Sequence, residues 1–174
     1  TGITYVGELG FEIYIPYNNL EKVFDVVYAK NGKSPVKLAG YHALNSLRME
    51  KGYLHWGHDI GVEENPFEAG VGFCVNLNKK NPFLGQAALE EKKKSGLSKR
   101  KVNFALSNND LLIYHNEPIY FDGKIVGEIS SGMYGFYLDE SLAMGYISGP
   151  NDDAIDKMIN EQKFEIEVAG IKYK

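Results

Sequence analysis

The 174-residue sequence holds a single cysteine, Cys74. One cysteine excludes an intrachain disulfide and a cysteine-based zinc site, and it accords with a reducing compartment. Flanked by Phe73 and Val75 with no adjacent base, Cys74 is expected to be a buried apolar thiol, not a nucleophile. No run approaches the roughly twenty apolar residues of a membrane-spanning helix, so no membrane partner is expected. No signal-peptide pattern is present. Positive charge is not in excess: the net charge is −4. The dense cationic run Lys92-Lys93-Lys94, with Ser98-Lys99-Arg100-Lys101 nearby, reads as a solvated helix end and linker, so no nucleic acid is expected. There is no Gly-x-Ser-x-Gly elbow, phosphate loop or dinucleotide glycine fingerprint. The glycine-rich stretch Gly127 to Gly135 lacks strand–turn–helix context and reads as a barrel turn. The chain starts without Met and inside a strand pattern, so a fragment of a longer polypeptide is expected.

What remains is ordinary globular material, 44% apolar and 24% charged, enough for one domain or two small ones. Ile3 to Val6 and Phe11 to Ile15 predict two strands joined by Gly7-Glu8-Leu9-Gly10, a hairpin turn in which glycines permit positive φ. Leu20, Val23, Phe24, Val27 and Tyr28 recur at helical spacing, with Asn18 or Asn19 as N-cap and Asn31-Gly32 as the stop. After a loop through Ser34-Pro35, a second helix spans about Gly40 to Lys51, with Tyr41, Leu44, Leu47 and Arg48 on one face. Residues 53 to 83 read as irregular, with strand-like pieces such as Gly72 to Val75. A polar helix, Gly85 to Lys94, follows as a hinge. From about Lys101 short strands take over: Val102 to Leu106, Pro118 to Phe121, Lys124 to Ser130, Leu142 to Ser148 and Phe164 to Val168. Asp122-Gly123 and Ala169-Gly170 mark hairpins. The pattern implies an α+β fold ending in a small antiparallel barrel or sandwich.

Three features invite chemistry. Glu8 sits in the glycine turn, either as a solvated carboxylate or aimed at a ligand. Arg48 lies on an apolar helix face; it either snorkels to solvent or is buried against Glu8, Glu50 or a ligand carboxylate. His55, His58 and Asp59 have a spacing seen in metal sites. The intervening Gly57, the lack of helical periodicity and the isolation of His42 and His115 favour structural histidines.

Six ordered motifs then align with one family: Tyr5-Val6-Gly7-Glu8-Leu9-Gly10-Phe11-Glu12, Ala43 to Gly52, His55 to Ile60, Asn65 to Gly70, Gly127 to Gly132 and Ala143-Met144-Gly145-Tyr146. The chain resembles the tetrahydrofolate-binding aminomethyltransferases, which include the glycine cleavage T-protein and the C-terminal half of dimethylglycine and sarcosine dehydrogenases. Gly-Glu-Leu-Gly in place of Gly-Glu-Asp-Gly, and Glu50 to Tyr53 running into His55-Trp56-Gly57, look like the dehydrogenases. The resemblance implies a partial folate-binding α+β domain over 1–83, a helical linker over 84–100 and a C-terminal β-barrel domain over 101–174. It implies a tetrahydrofolate site in which Glu8 grips the pterin, Leu9 and Gly10 approach the ring through backbone, and Arg48 and Glu68 contribute. The family's catalytic aspartate falls before Thr1, so no catalytic residue is expected here, and the family's ligand-contacting C-terminal tyrosine is not matched by Tyr173. FAD is expected only in an upstream domain of the same polypeptide. The implied parent is an FAD-dependent N-methyl amine dehydrogenase that hands a one-carbon unit to folate, in a bacterial cytoplasm or a mitochondrial matrix. A stand-alone aminomethyltransferase, a folate-dependent demethylase and a non-catalytic folate-binding or structural module are the alternatives.

Overall fold

Four helices and six strands emerge from the computed structural model, which describes residues 2, 4–28, 36–107 and 110–174. Helices α1 (Leu20–Tyr28) and α2 (Tyr41–Glu50) come first. An irregular stretch leads to α3 (Gln86–Ser95), then to strands β1 (Lys99–Leu106), β2 (Pro118–Phe121), β3 (Lys124–Gly135) and β4 (Glu140–Ser148). Helix α4 (Asp152–Glu161) and strands β5 (Phe164–Val168) and β6 (Ile171–Tyr173) complete the chain.

The strands form one antiparallel sheet in the order β1-β4-β3-β2-β5-β6. Its two edges meet at one end, where the Ser107 amide and hydroxyl both donate to the Lys174 carbonyl at 2.9 and 2.7 Å. Phe104 of β1 and Tyr173 of β6 pack on the same core. That core joins Ile119, Ile129, Ala143, Ile147 and Ile166 of the sheet to Ile155 and Met158 of α4. Among the described residues no ladder joins β1 to β6, so the Ser107–Lys174 contact draws the two outer strands together at one end only. Gly132 is required inside: a Cβ there would come within 2.4 Å of the Ile113 carbonyl oxygen.

The sheet is covered on its other face too. Met49 of α2 packs with Leu142 and Met144 of β4, flanked by Leu54 and Met133. Ser46 of α2 donates to the Tyr134 carbonyl at 2.7 Å. Strand β4 is therefore buried almost throughout, as strands between two apolar layers are.

Several expectations change. No strand forms over the described residues 4–16; Tyr5–Leu9 are bends and residues 10–16 take no regular secondary structure. Among the described residues no strand lies alongside to accept it, and a two-stranded hairpin is marginal in water by itself. Ile3, Asn31-Gly32 and Ser34-Pro35 lie outside the described residues. Gly72–Cys74 is a 3-10 turn, not a strand piece, and it leaves Cys74 exposed where a buried thiol is expected. In α2 the buried residues are Ser46, Arg48 and Met49, while Tyr41 stays 64% exposed. The helix turns a mixed face to the barrel because hydrogen bonds, not apolar area alone, hold it there. Helix α4 is absent from the sequence reading. Its signal lies in Asn151, whose side chain accepts from the Ala154 amide at 2.9 Å, and in Ile155, Met158 and Ile159 at helical spacing.

Candidate functional site

The Gly7–Gly10 turn stands on the surface. Gly7 adopts φ 71 and the Lys51 side chain crosses it; a Cβ there would lie 2.1 Å from Lys51 Cγ. That approach and the left-handed backbone both demand glycine. Thr4 Oγ1 accepts from the Val6 amide at 3.3 Å and lies against Gly10. Leu9 is 94% exposed. Glu8 is 62% exposed, and its carboxylate stands 3.3 Å from Lys51 Nζ. An ion pair this exposed is weak and easily exchanged, so the carboxylate is available to another donor.

Arg48 is the opposite case, only 2% exposed. Its Nε donates to Asn45 Oδ1 at 2.7 Å. NH1 donates to the Tyr53 carbonyl at 3.0 Å and to Asp59 Oδ2 at 2.6 Å, and NH2 to Ser131 Oγ at 3.0 Å. Its acid partner is thus Asp59, fully buried, and neither Glu8 nor Glu50. Burial pushes the Asp59 carboxyl up. Hydrogen bonds from the Ser130 hydroxyl, the His55 amide and Ser131, with the charge of Arg48, outweigh that and hold it below its ordinary value.

A β-bulge makes this arrangement possible. The β3–β4 register runs Ile129↔Gly145 and then Ser131↔Met144, so one extra residue sits in β3. In a regular strand consecutive side chains point to opposite faces. Here Ser130 donates to Asp59 Oδ1 and Ser131 accepts from Arg48, so the bulge sends both hydroxyls to one ion pair. Tyr146 on β4 donates to the Asp59 carbonyl at 2.7 Å. Burial first, then the nearby carboxylates of Glu64, Asp59 and Glu68, push its phenol well up. Burial likewise lowers the Lys101 ammonium, partly offset by the charge of Asp59.

Glu68 is buried on the Asn65–Gly70 turn. Asn65 Oδ1 accepts from the Phe67 and Glu68 amides at 3.0 and 3.1 Å, and Glu68 Oε2 accepts from the Asn65 amide at 3.2 Å. This reciprocal pairing resembles a capping box. The Glu68 carbonyl takes the Lys101 amide at 2.8 Å, tying the turn to β1. Among the described residues no hydrogen bond or ion pair joins Glu68 to Glu8. The His55 and His58 rings lie 4.8 Å apart, and the described residues contain no group of three or more His, Cys, Asp or Glu able to hold a metal. A cleft of about 680 Å³ opens between the 57–64 loop and the barrel, lined among others by His58, Glu64, Lys99, His115 and Glu128. None of Glu8, Leu9, Gly10, Arg48 and Glu68 lines it.

Sequence reasoning missed Lys51 as the partner of Glu8, Asp59 as the partner of Arg48, and Tyr146. The Ser130-Ser131 doublet carries a signal for the bulge: two adjacent small hydroxyls between Ile129 and Gly132 in the strand.

An antiparallel six-stranded sheet whose outer strands meet at one end, backed by a helical arm that presents a carboxylate from a Gly-Glu-Leu-Gly turn, defines the class as the glycine cleavage T-protein type. The family model for the GCVT N-terminal domain matches residues 1–79, and that for the glycine cleavage T-protein C-terminal barrel domain matches residues 99–174. The chain belongs to this family. It is 34% identical over 172 residues to human mitochondrial sarcosine dehydrogenase, covering 98% of this chain and 19% of that protein. Human mitochondrial dimethylglycine dehydrogenase is 33% identical over 171 residues, with 98% and 19% coverage. The crystal structure of glycine cleavage system aminomethyltransferase T from Bartonella henselae superposes with TM-score 0.83 at 26% identity, covering 99% of this chain and 46% of that one. The chain thus spans about a fifth of the length of these dehydrogenases. Among the described residues no helix is long and apolar enough to cross a membrane.

Proposed function

We propose that this chain is the tetrahydrofolate-binding part of an FAD-dependent N-methyl amine dehydrogenase of the sarcosine or dimethylglycine type. The observation that carries this reading is the exposed Glu8 carboxylate on a turn that only glycine can make. The pterin edge offers a ring N–H and an exocyclic NH₂ side by side, and a carboxylate accepts both at once. Glu8 is exposed and has only the weak Lys51 pair to give up for such a contact. Leu9 and Gly10 follow it on the surface and offer backbone to the ring. Arg48 and Glu68 are buried, with Arg48 held by Asp59 and Glu68 by the Asn65 turn, so in this reading they would contribute as support and not as direct contacts. Tetrahydrofolate, when bound, supplies the acceptor nitrogens for a one-carbon unit.

Folate over 1–83, linker over 84–100 and barrel over 101–174 is the division that goes with this reading. The flavin belongs to other domains of the same polypeptide, in a mitochondrial matrix or a bacterial cytoplasm. Relatives named as dehydrogenases and matched across nearly the whole chain support it. The fold shared with an aminomethyltransferase favours a second reading, a stand-alone transferase. The flavin absorbance of the purified full-length protein separates the two.

Glu8→Gln keeps the size and halves the acceptor strength. Charge-assisted hydrogen bonds contribute about 1.5–3 kcal/mol. Tetrahydrofolate affinity of the full-length protein, measured by isothermal titration, is therefore expected to fall roughly ten- to hundred-fold. Unchanged affinity would remove Glu8 from the site.

A further inference from the structure

We propose that Tyr5 is a positioning residue for Glu8, linking the Glu8 turn to the buried Arg48–Asp59 pair and through it to the barrel. The proposal rests on the folate reading of Glu8 and adds a residue to it. Tyr5 Oη donates to the Leu54 carbonyl at 2.8 Å. Its ring stacks on Tyr53, with centroids 6.3 Å apart and planes at 22°. The receiving segment is held at three consecutive residues. The Tyr53 carbonyl accepts from Arg48, the Leu54 carbonyl accepts from Tyr5, and the His55 amide donates to Asp59 Oδ2 at 2.8 Å. Asp59 and Arg48 are in turn fixed by Ser130 and Ser131 of the bulged strand.

The turn itself has little else to hold it. Its internal bond is the Val6 amide to Thr4 Oγ1. Its other outside contacts come from Lys51, whose flexible side chain crosses Gly7 and whose ammonium makes the exposed pair with Glu8 that solvent screens. Among the described residues no other hydrogen bond ties residues 5–10 to the rest of the chain. Gly7 and Gly10 add backbone freedom on either side of Glu8. A carboxylate that must meet two donors of a flat ring at once needs its backbone fixed in advance. Without a tether, binding must order the turn and loses affinity accordingly. Tyr5 stands three residues before Glu8 and supplies that tether.

Tyr5→Phe in the full-length protein tests this. The ring and its stacking stay while the bond to Leu54 goes. Two quantities are read: apo-state amide hydrogen exchange over residues 6–10, and tetrahydrofolate affinity by titration. Faster exchange together with a roughly five-fold loss of affinity, with the melting temperature unchanged, is the expected result. Faster exchange with unchanged affinity overturns the proposal, since the tether would then be irrelevant to binding. Lost affinity with unchanged exchange also overturns it and makes Tyr5 a ligand contact. No change in either overturns it as well. Glu8→Gln run in parallel separates the two claims. If that variant keeps its affinity, the folate reading of Glu8 fails; if it loses affinity while Tyr5→Phe behaves like the parent, only the positioning role fails.

Discussion

Helix α1 buries none of its nine residues, whereas strand β4 buries six of nine. Phe24, Val26 and Val27 of α1 are 47%, 75% and 44% exposed, while Ala143 and Ile147 of β4 are at 1% and 0%. Both segments carry clear apolar patterns. Strand β4 has a layer on each side, the barrel core within and the Met49–Leu142–Met144 cluster without. Among the described residues helix α1 has its pattern but buries none of its side chains in a comparable layer. Periodicity tells which face of an element is apolar; it does not tell what covers that face.

The sharpest break in this comparison comes at the seam between arm and barrel. Asp59→Ala leaves Arg48 buried without its acid partner and is expected to cost about 3–5 kcal/mol in denaturant unfolding. The same pair gives a pH signature. The Asp59 carboxyl is held below its ordinary value in the folded state. Its contribution is therefore complete above the unfolded carboxylate value, about 4, and is lost as pH falls through the lower folded value. The Asp59→Ala variant should lose that acid limb of the stability curve; an unchanged limb would show that other carboxylates produce it.

Next in size is the contrast between layers. Ile147→Ala removes a fully buried side chain from the barrel and should cost about 2–5 kcal/mol, whereas Val26→Ala on α1 should stay within about 0.5 kcal/mol. Equal effects from the two would erase the distinction drawn between them. Smaller again is Asn151→Ala, which removes the cap of α4 and should cost about 1 kcal/mol, with a fall in melting temperature as the measurement. No loss there would mean that packing of Ile155 and Met158 alone fixes that helix.

Local signals served the barrel well. Asp122-Gly123 forms the predicted turn, with φ 47 and 76 and Phe121 opposite Lys124. Ala169-Gly170 does likewise, with Val168 opposite Ile171. These are two-residue turns whose chemistry is decided within four residues. The opening segment was less legible because a strand needs a neighbour, and no local residue supplies one. The partner of Arg48 was less legible for a similar reason. Asp59 lies 11 residues away, across a turn without periodicity, and is drawn in by serines more than seventy residues further on. Glu8 was legible as an acid in a glycine turn, but its neighbour Lys51 comes from the far end of α2.

The extra residue in β3 also sets a rule for tolerated length change. Removing Ser130 would restore an unbroken ladder with β4, yet it would rotate one hydroxyl away from the ion pair and leave Asp59 short of a donor. An added residue elsewhere in the same strand would reverse which side chains reach the core. In this chain, side-chain exchanges around the seam should be tolerated more readily than a change in the count of residues between Ile129 and Gly132.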